Sequence, residues 1–170
     1  MTNYDQWRIA YAKQGLADLK ASEQLSVSSD MPRCQSLHFL QMACEKICKA
    51  YLCGQGEKPE TLHRSHAYIS GPLPVIAGQQ FARISGSGGT HPHAVMPELR
   101  ALARKIELLA PAVNHGGSVP ANCEYPWKGP DGLVHAPCDH NFQMDLLYGR
   151  AGRILLKALY TAAQDLTARH

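Results

Sequence analysis

Basic side chains near the end of the chain are the clearest candidates for chemistry. Arg150, Arg153 and Lys157 recur at spacings of three and four residues, which places them on one side of a helix. Guanidinium and ammonium groups arranged in this way suit phosphate oxygens, so the spacing predicts a site for a polyanion. The alternative interpretation is a solvated helix flank, because cations are favoured toward a helix C-terminus.

A compact group of metal-ligand residue types precedes this basic segment. His135, Cys138 and His140 lie within six residues of one another, and imidazole and thiolate are suitable ligands for zinc. The group lacks a Cys-x-x-Cys or helical His-x-x-x-His pair, so it needs a further ligand. The candidates for that ligand are His91, His93 and His115. We therefore predict no metal and no other cofactor, and keep a small metal-binding helical protein as an alternative.

Two large aromatic residues stand in the long segment before the last predicted helix. Tyr125 and Trp127 lie in residues 112–140, which are rich in Pro, Gly and Asn and have no sustained periodicity. Such rings either anchor a loop to the bundle or offer a stacking surface to a base or a partner protein. We favour anchoring, because large buried rings offset the entropy lost on ordering a loop. Both residues are also candidates for ligand binding.

The elements that must position these residues are predicted to be helices. Apolar residues recur at spacings of three and four, which is the period of an α-helix. The predicted helices cover residues 3–25, 30–54, 97–109 and 142–167. The pattern predicts an all-α fold in a single domain, residues 1–170, with a long irregular loop before the last helix.

Local signals predict where these helices begin and end. Asp30 followed by Pro32 is a helix-start signal, because a carboxylate accepts free backbone N–H groups and proline needs none. Gly54 is the predicted left-handed terminator of the same helix. Between residues 63 and 84 a glycine and two prolines predict two short helical pieces instead of one helix.

Length, charge and cysteine usage exclude several classes of protein. A chain of 170 residues with a formal net charge of +3 suits one domain, and that charge is too small to indicate nucleic-acid binding by itself. We find neither a bilayer-spanning apolar run nor a secretory signal pattern, so we expect a cytoplasmic protein without membrane association. The six cysteines are predicted to be free thiols.

The first two predicted helices and the connection after them resemble the HEPN family of small helical bundles. The motifs are LADLKASEQL, RCQSLHFLQMACEKICKAYL and GEKPETLHRSHAYI, and the resemblance is strongest over residues 16–70. The matching residues are Ala17, Asp18, Leu19, Gln41, Ala43, Glu45, Lys46, Lys49, Ala50 and His66. The resemblance implies a four- or five-helix up-and-down bundle that forms a homodimer. The charged residues of the second motif also fit a solvated helix face, which is the alternative interpretation.

The resemblance implies two functions from different classes. The first is a non-catalytic binding or accessory protein that engages a nucleotide, RNA or a nucleotidyltransferase-type partner. The second is a metal-independent endoribonuclease, in which His moves a proton and Arg stabilises charge on the phosphate. Family ribonucleases place that His shortly after the Arg, whereas here His140 precedes Arg150 and Arg153. These three residues are the catalytic candidates, and their unusual order favours the binding role.

Overall fold

The computed structural model describes residues 2–85, 94–114 and 121–168, and helices dominate them. The helices are α1 Asn3–Ser26, α2 Arg33–Gly54, α3 Pro59–Leu62, α4 Pro72–Ser85, α5 Met96–Glu107, α6 Pro111–Asn114, α7 Asp145–Tyr148 and α8 Arg150–Ala168. Strands β1 Trp127–Lys128 and β2 Val134–His135 pair antiparallel, and a 3₁₀ turn follows at Pro137–Asp139. The predicted all-α bundle class is confirmed. Within these residues, no helix combines the length and apolarity that a membrane span requires.

The longer helices share one hydrophobic core. Its largest fully buried side chains come from α1, α2, α4, α5 and α8, with two more on the connection between α2 and α4. They are Leu19, Leu37, Leu40, Ile47, Leu62, Ile69, Leu73, Leu99, Leu102, Ile106, Leu155 and Leu159. The α1–α2 pair is especially close at Gly15, where an added Cβ would lie 2.8 Å from Ile47 Cγ1. Glycine therefore sets the distance between these two helices.

The two ends of α2 differ from the sequence prediction. No side chain caps its N-terminus, and the Asp30 carboxylate accepts a hydrogen bond from Ser29 Oγ at 3.0 Å instead. At the other end the left-handed residue is Gly56, with φ of +93°, rather than Gly54. The N–H of Gly56 donates to the Cys53 carbonyl and the N–H of Glu57 to the Leu52 carbonyl. This is a Schellman motif, and its left-handed residue lies two positions after the predicted one.

One helix, α4, replaces the two short pieces predicted between residues 63 and 84. Pro72 is its first residue and Pro74 its third. The first backbone N–H groups of a helix have no acceptor inside the helix, so proline removes no hydrogen bond at these positions. The prediction was wrong because both prolines belong to the first turn and not to the interior.

The last long helix begins at Arg150 and not at residue 142. Gly149 has an extended backbone, with ψ of −163°, and separates α7 from α8. A Cβ at Gly152 would lie 1.7 Å from the Leu147 carbonyl oxygen, so only glycine lets α7 pack this closely on α8. In the described part of the predicted loop, the short hairpin and the 3₁₀ turn replace irregular chain. Most of the predicted linker at 85–90 and His91, His93 and His115 lie outside the described residues.

Candidate functional site

The polar residues of the second motif form a buried network. Glu45 and Lys49 are each only 5% exposed, and Gln41 is buried beside them. Lys49 Nζ donates to Glu45 Oε1 at 2.6 Å, and Gln41 Nε2 donates to Glu45 Oε2 at 3.1 Å. His66 Nδ1 lies 3.0 Å from the same Oε2 atom. The interpretation of this motif as a solvated helix face is therefore wrong for Glu45 and Lys49.

A second ion pair links α2 to α1 beside this network. Lys46 Nζ donates to Asp18 Oδ2 at 2.6 Å, and Gln14 Nε2 donates to Asp18 Oδ1 at 2.9 Å. Asp18 is buried, so its charge has left water and needs these partners. The Lys46–Asp18 pair thus holds α1 against α2, and the contact between Glu45 and His66 holds the connection after α2.

The network reaches solvent at His66, whose side chain is 48% exposed. Lys49 Nζ lies 5.7 Å from the centre of the Tyr68 ring, and the Trp7 and His63 rings meet edge to face nearby. Burial raises the pKa of Tyr11, and the nearby Cys53 and Glu45 side chains raise it further. A buried carboxylate that holds one imidazole nitrogen fixes the orientation of the ring. These contacts therefore position α1, α2 and the connection after α2 relative to one another.

Unlike the buried network on α2, the predicted basic row on α8 is exposed to solvent. Arg150, Arg153 and Lys157 are exposed, and none of them forms an ion pair with a described residue. The cations that do pair with a carboxylate are Arg8, Lys46, Lys49 and Arg83. No described carboxylate therefore compensates the positive charge of the α8 row.

A groove between α4 and α8 borders two members of this row. Arg153 and Lys157 line it together with Phe81, Ile154 and Ala158. Phe81 is partly exposed, so part of its ring is accessible. An aromatic ring in the same groove as cations is the combination that binds single-stranded nucleic acids, since bases stack on the ring and phosphates contact the cations. The sequence has no signal for Phe81, because the contact depends on how α4 crosses α8.

The two aromatic residues of the connection before α8 have different environments. Trp127 is buried, stacks on His135 with ring centres 5.9 Å apart, and meets the His140 ring edge to face at 5.0 Å. Phe142 completes this cluster. Tyr125 is 62% exposed. Trp127 thus anchors the hairpin, whereas Tyr125 leaves its ring in solvent.

The three catalytic candidates are not joined in the structure. His140 packs on Trp127 and Phe142, and the cavity it borders is lined by Lys105 and not by Arg150 or Arg153. Among the residues described, no hydrogen bond or ion pair links His140 to either arginine. In the described part of the chain, no contact therefore brings His140 to the basic row.

The metal candidates make other contacts. His135 Nε2 lies 3.0 Å from Asp131 Oδ2, and this hydrogen bond lowers the pKa of Asp131. Cys138 is exposed in the 3₁₀ turn. In residues 2–85, 94–114 and 121–168, no three His, Cys, Asp or Glu side chains are grouped as metal ligands would be.

Comparison of the chain with family models, with curated proteins and with solved structures finds no match. The resemblance to HEPN proteins therefore rests on the motif residues themselves. Six of those residues form the buried network and its neighbouring ion pair, namely Asp18, Gln41, Glu45, Lys46, Lys49 and His66.

Proposed function

We propose that this chain is an HEPN-like, non-catalytic protein that binds single-stranded RNA on the outer surface of α8. The observation that carries the proposal is the exposed row Arg150, Arg153 and Lys157, which has no carboxylate partner among the described residues. A cation that already pairs with a carboxylate must give up that partner before it binds phosphate. The α8 cations have no such cost, so phosphate binding is favoured there.

The groove beside the row supports a single strand as the ligand. The row rises about 10 Å along the helix, so its cations can contact separate phosphates. Phe81 of α4 lines the same groove as Arg153 and Lys157. Bases of a duplex are already stacked on each other, whereas an unpaired base can stack on this ring. The arrangement therefore favours single-stranded RNA without a fixed sequence.

The proposal also includes a homodimer and an accessory role, which come from the HEPN-like motif residues. Through the HEPN resemblance they support a homodimer and an accessory role beside a nucleotidyltransferase-type protein. In a homodimer the α8 row occurs twice, and two linked sites bind one long strand more tightly than either does alone.

The test measures binding of a fluorescently labelled, unstructured single-stranded RNA to the full chain by anisotropy at low salt. Replacing Arg150, Arg153 and Lys157 together with Ala should weaken binding at least about tenfold, because three phosphate contacts are lost. The matched control replaces Lys20, Arg100 and Arg104, which are exposed on α1 and α5. This control removes the same charge and should keep most of the affinity. Equal loss in both variants would show that net charge, and not the α8 row, binds RNA.

The aromatic contact is tested separately by Phe81→Leu. This substitution keeps an apolar side chain in the groove but removes the stacking face. We expect binding to weaken by about 1 kcal/mol or more, while the salt dependence stays as in the wild type. Unchanged affinity would remove the ring from the site and leave only the phosphate contacts.

A further inference from the structure

Three of the six cysteines lie on segments that come together where the connection before α8 packs on α2. Cys34 lies in the first turn of α2 and is only 2% exposed. Cys123 is buried on the connection, and Cys138 is exposed in the 3₁₀ turn. The buried thiols and the exposed thiol thus belong to segments that are far apart in the sequence.

Several contacts bring these three segments together. Glu124 Oε1 lies 3.7 Å from His38 Nδ1, and His38 follows Cys34 by one helical turn on the same side of α2. The neighbouring Cys123 and Cys34 belong to the same buried core. The 3₁₀ turn that contains Cys138 packs against α2 as well. The segments that carry Cys123 and Cys138 therefore both pack on α2, the helix that carries Cys34.

The pKa values of the buried thiols agree with contact between these segments. Burial raises the pKa of Cys34, and the nearby Cys138 and Asp139 raise it further. Burial, with smaller contributions from Cys34 and Glu124, raises the pKa of Cys123 to about 12. Cys34 thus interacts with both neighbours. Of these three thiols only Cys138 is exposed, so an oxidant in solution reacts with Cys138 first.

We propose that Cys138 and Cys34 form a reversible disulfide when hydrogen peroxide oxidises the protein. The Cys138 thiol releases its proton and the thiolate attacks one peroxide oxygen, so that the O–O bond breaks and Cys138 becomes a sulfenic acid. The departing hydroxide takes up the released proton and leaves as water. The Cys34 sulfur then attacks the Cys138 sulfur, the S–S bond forms, the S–O bond breaks, and a second water leaves. The two thiols supply two electrons and two protons, and the peroxide is reduced to two waters.

The disulfide would tie the connection before α8 directly to the first turn of α2. It closes a loop of roughly a hundred residues, and such a crosslink restricts the unfolded chain. The connection also carries Tyr125 and the anchoring Trp127, so oxidation fixes covalently a segment that only noncovalent contacts hold when the thiols are reduced. The inference does not depend on RNA binding.

The experiment treats the full chain with hydrogen peroxide, blocks the remaining thiols with N-ethylmaleimide, and maps the tryptic peptides without reduction. We expect the peptide of residues 129–150 linked to that of residues 34–46. The latter contains both Cys34 and Cys44, so fragment ions must assign the bond to Cys34. Cys44 and Cys48 are buried one turn apart on α2 and serve as the internal control that stays reduced.

Two variants complete the test. Cys138→Ser, a surface substitution, should abolish the linkage, whereas Cys123→Ser should leave it intact. The oxidised wild type should melt about 5 °C or more above the reduced protein, a shift that Cys138→Ser should lack. A bond from Cys138 to Cys123 or to a second chain would overturn the proposal. So would oxidised Cys138 beside a Cys34 that still reacts with the blocking reagent after unfolding.

Discussion

The buried network on α2 and the outer face of α8 use charged residues for opposite purposes. On α2, Glu45 and Lys49 are buried and satisfy each other within hydrogen-bond distance. On α8, Arg153 and Lys157 are exposed and have no carboxylate partner among the described residues. Both helices carry charges at spacings of three and four. The spacing therefore does not determine the role, and the presence of a facing carboxylate does.

This difference has a physical basis in desolvation. A buried charge without a partner is strongly unfavourable, so the network on α2 must stay complete for the helices to pack. An exposed cation is hydrated and costs nothing to leave unpaired, so it remains available to a phosphate. The first region should therefore control stability, and the second should control binding.

Breaking the α2 network should give the largest effect on stability. Glu45→Ala leaves Lys49 as a buried charge without a carboxylate, and we expect the free energy of unfolding to fall by about 3–5 kcal/mol. Urea denaturation followed by circular dichroism measures this loss. The double variant Glu45→Leu, Lys49→Met removes both charges and should recover most of the stability. A loss below about 1 kcal/mol for Glu45→Ala would show that this pair does not hold the helices.

Removing the anchor of the hairpin should have the next largest effect. Trp127→Ala deletes a buried ring that contacts His135 and His140, and we expect a loss of about 3 kcal/mol in the same denaturation measurement. The matched control is Tyr125→Ala, two residues earlier and exposed, which should change stability by less than about 0.5 kcal/mol. Equal losses in the two variants would contradict the anchoring role of Trp127.

Substitutions in the α8 row should leave stability almost unchanged. The triple Ala variant of Arg150, Arg153 and Lys157 removes exposed side chains without ion-pair partners among the described residues, so its free energy of unfolding should stay within about 0.5 kcal/mol of the wild type. The measurement is urea denaturation under the conditions used for Glu45→Ala. A large loss would mean that these cations support the fold, and the contrast between the two regions would fail.

The smallest effect concerns the N-terminal cap of α1 and the pH dependence of stability. The backbone N–H and hydroxyl of Thr2 donate to Asp5 and lower the pKa of Asp5 below its ordinary value of 3.8. A lowered pKa adds stability that is present above pH 3.8 and is lost as the pH falls through the folded-state pKa. Asp5→Asn should remove the part of the stability loss at low pH that comes from protonation of Asp5. Amide exchange of the first turn of α1 at pH 6 and pH 3 would detect it, and identical acid profiles would contradict it.

The sequence predicted the helices better than the contacts between them. Apolar periodicity identified α1, α2, α5 and α8, because each buries one stripe against the common core. It did not show that Glu45 is buried, since α2 is covered on several sides and buries polar residues beside its apolar stripe. It also did not place Phe81 beside Arg153, because that groove exists only after α4 and α8 pack. Local patterns describe single elements, whereas both of these features arise between elements.

The salt dependence of RNA binding tests the central claim most directly. Each phosphate contact with a single strand contributes a slope of about 0.7 in the plot of log affinity against log salt concentration. If Arg150, Arg153 and Lys157 each contact a phosphate, the triple Ala variant should bind with a slope shallower by about 2 than the wild type. The Lys20, Arg100 and Arg104 control should keep the wild-type slope. An unchanged slope in the α8 variant would contradict the assignment of RNA binding to this helix.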